Sequence, residues 1–242
     1  MENSAFFFLV IRAAATGVQP AAAPPLLTYM WDWLGAILAW LGFGSKSATI
    51  ATVGLDNAGK STLLHRLATG SLAELPPTTT AHSREFSAAN VTFKAWDLGG
   101  HESWRKMWET FVLGAHAVLF LIDSVDADRL DEARDELDGI FDVVAEQVLR
   151  TSEAIPIAVL LNKRDLGDAI AVETLVERLG LDALAASTTD VLVHIVEAAA
   201  EGSGGAAPLA LHRVPLDVRI FPCSVLRGSG YTEALAWLAS RV

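Results

Sequence analysis

The run Gly54-Leu55-Asp56-Asn57-Ala58-Gly59-Lys60-Ser61 constrains this chain more than any other feature. It reads G-x-x-x-x-G-K-S, a pattern that carries chemistry only where a strand ends before it and a helix opens after it. Residues 49–53 are an apolar, strand-like run, and Thr62, Leu63, Leu64 and Leu67 begin a helical pattern. The glycines let backbone N–H groups curl round phosphate oxygens, and the helix N-terminus adds the positive end of its dipole. Lys60 is then placed to reach β- and γ-phosphates, and the Ser61 hydroxyl to ligate Mg²⁺. Asp56, Asn57, Ala58, Gly59, Lys60, Ser61 and Thr62 together form a candidate phosphate cradle.

Three later segments narrow the nucleotide to GTP or GDP. Asp97-Leu98-Gly99-Gly100 ends the alternating strand Val91, Phe93, Ala95 against Thr92, Lys94. Its aspartate suits the Mg²⁺ side of the site, and the N–H of Gly100 can meet a γ-phosphate. Asn162-Lys163-Arg164-Asp165 follows the apolar run 157–161. A carboxylate at Asp165 can accept guanine N1–H and the 2-amino group. Adenine offers neither donor, and an unpaired buried carboxylate rejects it. Cys223-Ser224-Val225 follows the strand pattern 218–221, where the backbone of Ser224 and Val225 can contact guanine O6. This alternation of strands and helices predicts a three-layer α/β domain with a mostly parallel sheet and nucleotide at the strand C-terminal ends.

Composition excludes several other classes. Lysine plus arginine total 18 against 29 acidic residues, so the chain carries −11 and lacks the basic stripe a nucleic-acid partner requires. At 52% hydrophobic and 19% charged it is not a disordered chain, and one cysteine, Cys223, forms no internal disulfide framework or cysteine zinc cluster. Cys223 is expected in the core. His65 and His194 sit on patterns read as helical and are expected to be surface or packed residues. The acidic stretch 126–138 reads as a solvated helix face. Trp104 and Trp108 fit a core or a partner surface equally well.

The first 45 residues differ in character. Residues 1–29 read as a disordered extension or a misassigned start, with Met30 as the first residue; Glu2 rules out N-myristoylation from this start. Residues 30–43, MWDWLGAILAWLGF, place Asp32, Gly35, Ala36, Ala39 and Gly42 on one helical face and a Trp/Leu-rich surface opposite. Such a helix reaches about 21 Å, short of a bilayer core of about 30 Å. Extending it back to residue 26 would bury Asp32 in hydrocarbon at about 3 kcal/mol. An amphipathic helix lying on a membrane surface, within a 30–45 segment, is the expectation, ahead of a domain of residues 46–242.

These residues resemble the Arf/Sar branch of small GTPases, and the Sar family most closely, over roughly residues 30–242. The GLDNAGKST run continues into Leu63-Leu64-His65 as in Sar proteins, and Pro77-Thr78 falls at the family's switch I Pro-Thr. Asp97-Leu98-Gly99-Gly100-His101-Glu102 resembles the Sar switch II, with His101 where Arf proteins carry glutamine. Cys223-Ser224-Val225-Leu226 with Gly230-Tyr231, and Trp31-Asp32-Trp33 through Gly42, are similar to the Sar C-terminal segment and N-terminal anchor. Residues 1–29 have no family counterpart, and residues 181–213 exceed the family's corresponding loop, their Gly/Ser-rich centre reading as a linker.

The resemblance implies a P-loop small GTPase fold preceded by an amphipathic helix, with Thr78 joining Ser61 and Asp97 on Mg²⁺ and His101 orienting the attacking water. Arg84 and Arg105 lie near the switches, yet neither is assigned as a finger, so slow turnover alone and an arginine from a partner are expected. The implied function is a GTP-dependent membrane switch that starts COPII-type coat assembly between endoplasmic reticulum and Golgi. Its implied partners are a membrane-bound exchange factor and the COPII inner coat with its GTPase activator. An Arf-like GTPase on another membrane, and a non-hydrolysing membrane-tethered adaptor, are the alternatives.

Overall fold

A computed structural model describes residues 46–73, 75–76, 78, 80–185, 191–199 and 209–242. The expected membrane helix at 30–43, the segment 1–29, Pro77 and the linker centre near Gly202 lie outside the described residues.

Seven strands form one sheet in the order β2-β3-β1-β4-β5-β7-β6. The strands are β1 (Lys46–Val53), β2 (His82–Ala88), β3 (Val91–Asp97), β4 (Ala117–Asp123), β5 (Ile157–Asn162), β6 (Val191–Ala199) and β7 (Leu209–Pro222). From β3 to β7 the neighbours run parallel; the edge strands β2 and β6 pair antiparallel. The innermost strands are buried on both faces, which is why AVLFLID of β4 and IAVLLN of β5 are apolar runs broken only by a final polar residue.

Helices cover both faces, making the expected three layers. On one face pack α1 (Lys60–Thr69) and the C-terminal helix α7 (Tyr231–Arg241), around Leu63, Leu64, Phe93, Leu121, Leu235 and Leu238. On the other lie α2 (Glu102–Arg105), α3 (Trp108–Leu113), α4 (Leu130–Thr151), α5 (Val172–Arg178) and α6 (Asp182–Ala185). α4 buries Leu130, Ala133, Leu137, Ile140, Phe141 and Val144, a stripe at three- and four-residue spacing, and turns its acidic side outward. At roughly 25 cal/mol per Å², each fully buried Leu or Phe of this stripe contributes about 2 kcal/mol. The segment 147–153, which the family resemblance marks as extended, comprises the last turn and a half of this helix, to Thr151, and the two residues after it.

The region 181–213 departs from the sequence expectation of a long loop. It contains α6, all of β6 and the start of β7, and His194 lies in β6 and not on a helix. The alanines at 198–200 favour helix locally, but β-branched Val191, Val193, Ile195 and Val196 find a partner in 209–217, and that non-local pairing decides. In β7 the alternate residues Val214, Leu216 and Val218 are buried while Arg213 and Arg219 face water.

Candidate functional site

Apart from Thr78, which lies between α1 and β2, the chemistry-bearing residues sit on loops that leave the C-terminal ends of parallel strands. β1 has β3 on one side and β4 on the other, so the chain order reverses there and opens a crevice. The loop 54–59 spans from β1 to α1. Lys60 is buried, its Nζ donating to Gly54 O at 2.7 Å and Leu55 O at 2.8 Å. Burial pushes this amine down to about 8, against the opposing pull of Asp97 and Asp56. Asn162, at the end of β5, donates from Nδ2 to Ala58 O at 2.8 Å and so braces the phosphate loop from 104 residues away.

Gly100 explains why switch II can lie on that loop. A Cβ there would stand 2.2 Å from Asp56 N and 2.4 Å from Leu55 C, so only glycine permits this approach. Trp108 holds the preceding residue, its Nε1 donating to Gly99 O at 3.1 Å while its ring meets Phe120 edge-on. At 2% exposure Trp108 is a core residue, which resolves the equal choice left by the sequence; Trp104 is half-buried. His101 follows Gly100 directly, exposed, with Nδ1 3.3 Å from Ser103 Oγ.

Three oxygens converge beside Lys60. Ser61 Oγ and Thr78 Oγ1 are 2.6 Å apart, and Thr78 Oγ1 lies 3.5 Å from Asp97 Oδ2. Asp97 Oδ1 is buried without a hydrogen-bond partner, and burial raises this carboxyl's pKa despite the Ser61 hydroxyl and the Lys60 charge. A buried carboxylate oxygen with nothing to accept, next to two hydroxyls, is the donor set a hard divalent cation takes. The residues present therefore fit Mg²⁺.

The base end is assembled from β5 and β7. Lys163 has φ 65° and reaches Asp123 Oδ2 at 2.6 Å, anchoring the Asn162-Lys163-Arg164-Asp165 loop. Ser224 Oγ donates to Asp165 Oδ1 at 2.5 Å, and Val225 N–H donates to Asn162 Oδ1 at 3.0 Å. Cys223 is buried between them, its thiol pushed up to about 12 by that burial. Each carboxylate oxygen has two lone pairs, so Asp165 retains acceptors for two base donors.

The sequence did not reveal a charged chain that joins the phosphate loop to switch II. Asp56 turns its carboxylate outward to Arg129 Nη2 at 2.6 Å, and Arg129 Nε reaches Glu132 Oε2 at 2.8 Å. Glu132 Oε1 accepts from Arg105 Nη2 at 2.6 Å, Glu136 accepts from Arg105 Nη1 at 2.8 Å, and Arg105 Nε donates to Gly100 O at 2.9 Å. Arg129 holds both Asp56 and Glu132 below the usual carboxylate range. Part of the acidic stretch read as a solvated face thus does structural work; the only hint was the Arg129–Glu132 spacing of three. Arg105 is fully engaged, so it is no finger for a reacting phosphate. Among the described residues no group of three or more His, Cys, Asp or Glu side chains forms a further metal site.

A phosphate loop at the head of α1, paired with switch and base loops at successive strand ends, defines a small GTPase. The chain belongs to the ADP-ribosylation factor family, whose model matches residues 34–242. It is 38% identical over 208 residues to the small COPII coat GTPase SAR1 of Giardia intestinalis, covering 86% of this chain and 96% of that protein. It is 33% identical over 221 residues to the small COPII coat GTPase SAR1 of Nicotiana tabacum, covering 88% and 99%. ADP-ribosylation factor-like protein 8c of Arabidopsis thaliana is 36% identical over 158 residues, covering 64% of this chain and 81% of that protein. The structure resembles the Arl6 BBS3 small GTPase of Trypanosoma brucei with bound nucleotide analogue GppNp, at TM-score 0.59 and 25% identity, covering 81% of this chain and 99% of that one. The protein is thus a Sar/Arf-branch GTPase, a hydrolase of GTP.

Proposed function

We propose that this GTPase is a Sar-type membrane switch that starts COPII-type coat assembly on the cytosolic face of the endoplasmic reticulum, for transport to the Golgi. The observation that carries the reading is likeness to two proteins of that name, at 38% and 33% identity along 86% and 88% of the chain. The Arf-like relative supports the second reading, an Arf-like GTPase on another membrane. The adaptor alternative requires a span. No helix among the described residues is long and apolar enough to cross a membrane, and residues 26–43 are not among them.

In this reading the backbone of Asp56, Asn57, Ala58, Gly59, Lys60, Ser61 and Thr62 cradles the phosphates, with Lys60 Nζ leaving Gly54 O and Leu55 O for phosphate oxygens. Ser61, Thr78 and Asp97 hold Mg²⁺, which when bound neutralises charge on the β- and γ-phosphates. Gly100, already seated on the loop, presents its N–H to the γ-phosphate and so signals its presence to switch II. Asn162, Lys163, Asp165, Ser224 and Val225 receive the guanine. His101 orients the attacking water, and an activator supplies the arginine, since Arg105 is committed to Glu132 and Glu136. Residues 30–43 insert their Trp/Leu face into the membrane in the GTP state; a membrane-bound exchange factor loads the nucleotide.

Liposome flotation of the chain starting at Met30 tests this. Binding with a non-hydrolysable GTP analogue and not with GDP, followed by recruitment of purified COPII inner coat, is expected. Binding in both states favours the adaptor. Nucleotide-dependent flotation without coat recruitment favours the Arf-like reading. His101→Ala should keep GTP binding and lose activator-stimulated hydrolysis.

A further inference from the structure

We propose that Arg66 is a positioning residue for guanine recognition, holding the base loop from the same helix whose first turn meets the phosphates. The inference rests on the reading that the loop opened by Ser224 and Val225 receives guanine O6, and extends that contact to the N–H of the next residue, Leu226. Arg66 lies on α1 six residues after Lys60, about 9 Å along the axis. Its Nη1 donates to Val225 O at 2.6 Å and to Leu226 O at 3.0 Å, across 159 and 160 residues of sequence. The approach is built in at the loop as well. Gly228 has φ +80°, and a Cβ there would stand 2.6 Å from Arg66 Nη2.

What the two bonds control follows from peptide planarity. The carbonyl of Val225 and the N–H of Leu226 share one trans peptide plane and point in opposite directions. Holding the carbonyl toward α1 therefore turns the Leu226 N–H away from it. The neighbouring N–H groups already have partners, Val225 on Asn162 Oδ1 and Arg227 on Ser224 Oγ at 2.9 Å. Arg66 thus sets the aim of the Leu226 peptide, the part of the loop that the Asn162 and Asp165 braces do not fix. Asp165, which in this reading meets the N1 and 2-amino edge of the base, is tied to Ser224, whereas the bonds of Arg66 go to Val225 and Leu226.

That division gives a test that global weakening would not mimic. Affinities of wild type, Arg66→Ala and Arg66→Lys are measured for three diphosphates: GDP, inosine diphosphate, which lacks the 2-amino group, and 2-aminopurine riboside diphosphate, which lacks O6 and the N1 proton. The lost N1 proton is common to wild type and variants, so a change in the ratio reads the O6 contact. Arg66→Ala is expected to narrow the preference for GDP over the 2-aminopurine nucleotide about tenfold, the scale of one hydrogen bond. It should leave the GDP-to-inosine ratio unchanged, and Arg66→Lys should fall between. Should Arg66→Ala fail to fold, Arg66→Met, which keeps the length of the stem but no donor, should narrow the same ratio. Equal loss for all three nucleotides, or unchanged ratios, overturns the proposal. A wild type that does not discriminate against the 2-aminopurine nucleotide overturns the guanine reading of the loop itself, and this inference with it.

Discussion

Arg105→Met should detach switch II from α4, and a double-mutant cycle with Glu132→Gln measures how firmly it is held. Arg105 is 11% exposed and makes three bonds, to Gly100 O, Glu132 and Glu136, whose carboxylate side chains are 39% and 28% exposed. Shielded hydrogen bonds to charged groups contribute about 1.5–3 kcal/mol, and exposed ion pairs about 0.2–1 kcal/mol. The Arg105–Glu132 pair lies between these limits, so a coupling of about 1 kcal/mol is expected. Removing Arg105 also strands Gly100 O and Glu136, for a total of about 2–3 kcal/mol. In a domain spanning residues 46–242, about 1 kcal/mol shifts Tm by roughly 2–4 °C. Arg105→Met should therefore melt about 4–12 °C lower, read at fixed GDP and Mg²⁺ so that linkage to ligand stays constant. The double variant should lose about 1 kcal/mol less than the sum of the single variants. Additivity within about 0.3 kcal/mol would refute the latch, because independent sites add to that precision.

Gly100→Ala, whose Cβ would fall 2.2 Å from Asp56 N, should weaken binding of a GTP analogue at least tenfold while leaving GDP within about twofold; equal loss of both in fluorescent-nucleotide titrations would count against the close approach. The Cys223 thiol, raised from 9.0 to about 12, keeps in the folded state a proton the unfolded chain releases. Its contribution to stability is thus intact below pH 9 and declines as pH climbs toward 12. At pH 8, native protein should resist iodoacetamide until urea unfolds it, and rapid labelling of the native form would contradict the burial. Asp56 and Glu132 are depressed by Arg129, so their contribution is present at neutral pH and fades as pH falls through their folded values. Arg129→Met should flatten the acid limb of a urea-midpoint profile by a small, salt-sensitive amount, since these carboxylates are partly exposed; an unchanged limb would mean the pairs contribute nothing.

The parts of the site that sequence made legible are those where residue type alone states the chemistry at a strand end. Gly54–Ser61, Asp97–Gly100, Asn162–Asp165 and Cys223–Val225 each fall where a parallel strand delivers its loop, and the unbroken apolar runs of β4 and β5 announced that sheet. Arg66, Arg129 and Glu132 were illegible for a physical reason. Each acts through a partner 27 to 160 residues away, and an arginine on a helix looks the same whether it meets water or a carbonyl. Trp108 was ambiguous on the same ground, since only the fold shows Phe120 beneath it. The β6–β7 pairing was hidden by alanines whose helical preference is a local property, while strand pairing is settled by residues 209–217, distant in sequence.

The way β7 shares its partners bears on how such a protein can vary. Residues 209–217 pair with β6, residues 218–222 pair with β5, and no residue of β7 has both neighbours. The strand is a relay in which one half carries an appendage and the other half places Cys223, Ser224 and Val225. Lengthening or trimming the hairpin at its far end leaves the β5 register, and hence the base loop, where it is. Novelty can accumulate along that margin of the sheet, at the opposite edge from β2 and the nucleotide switches, without disturbing what the nucleotide is read by.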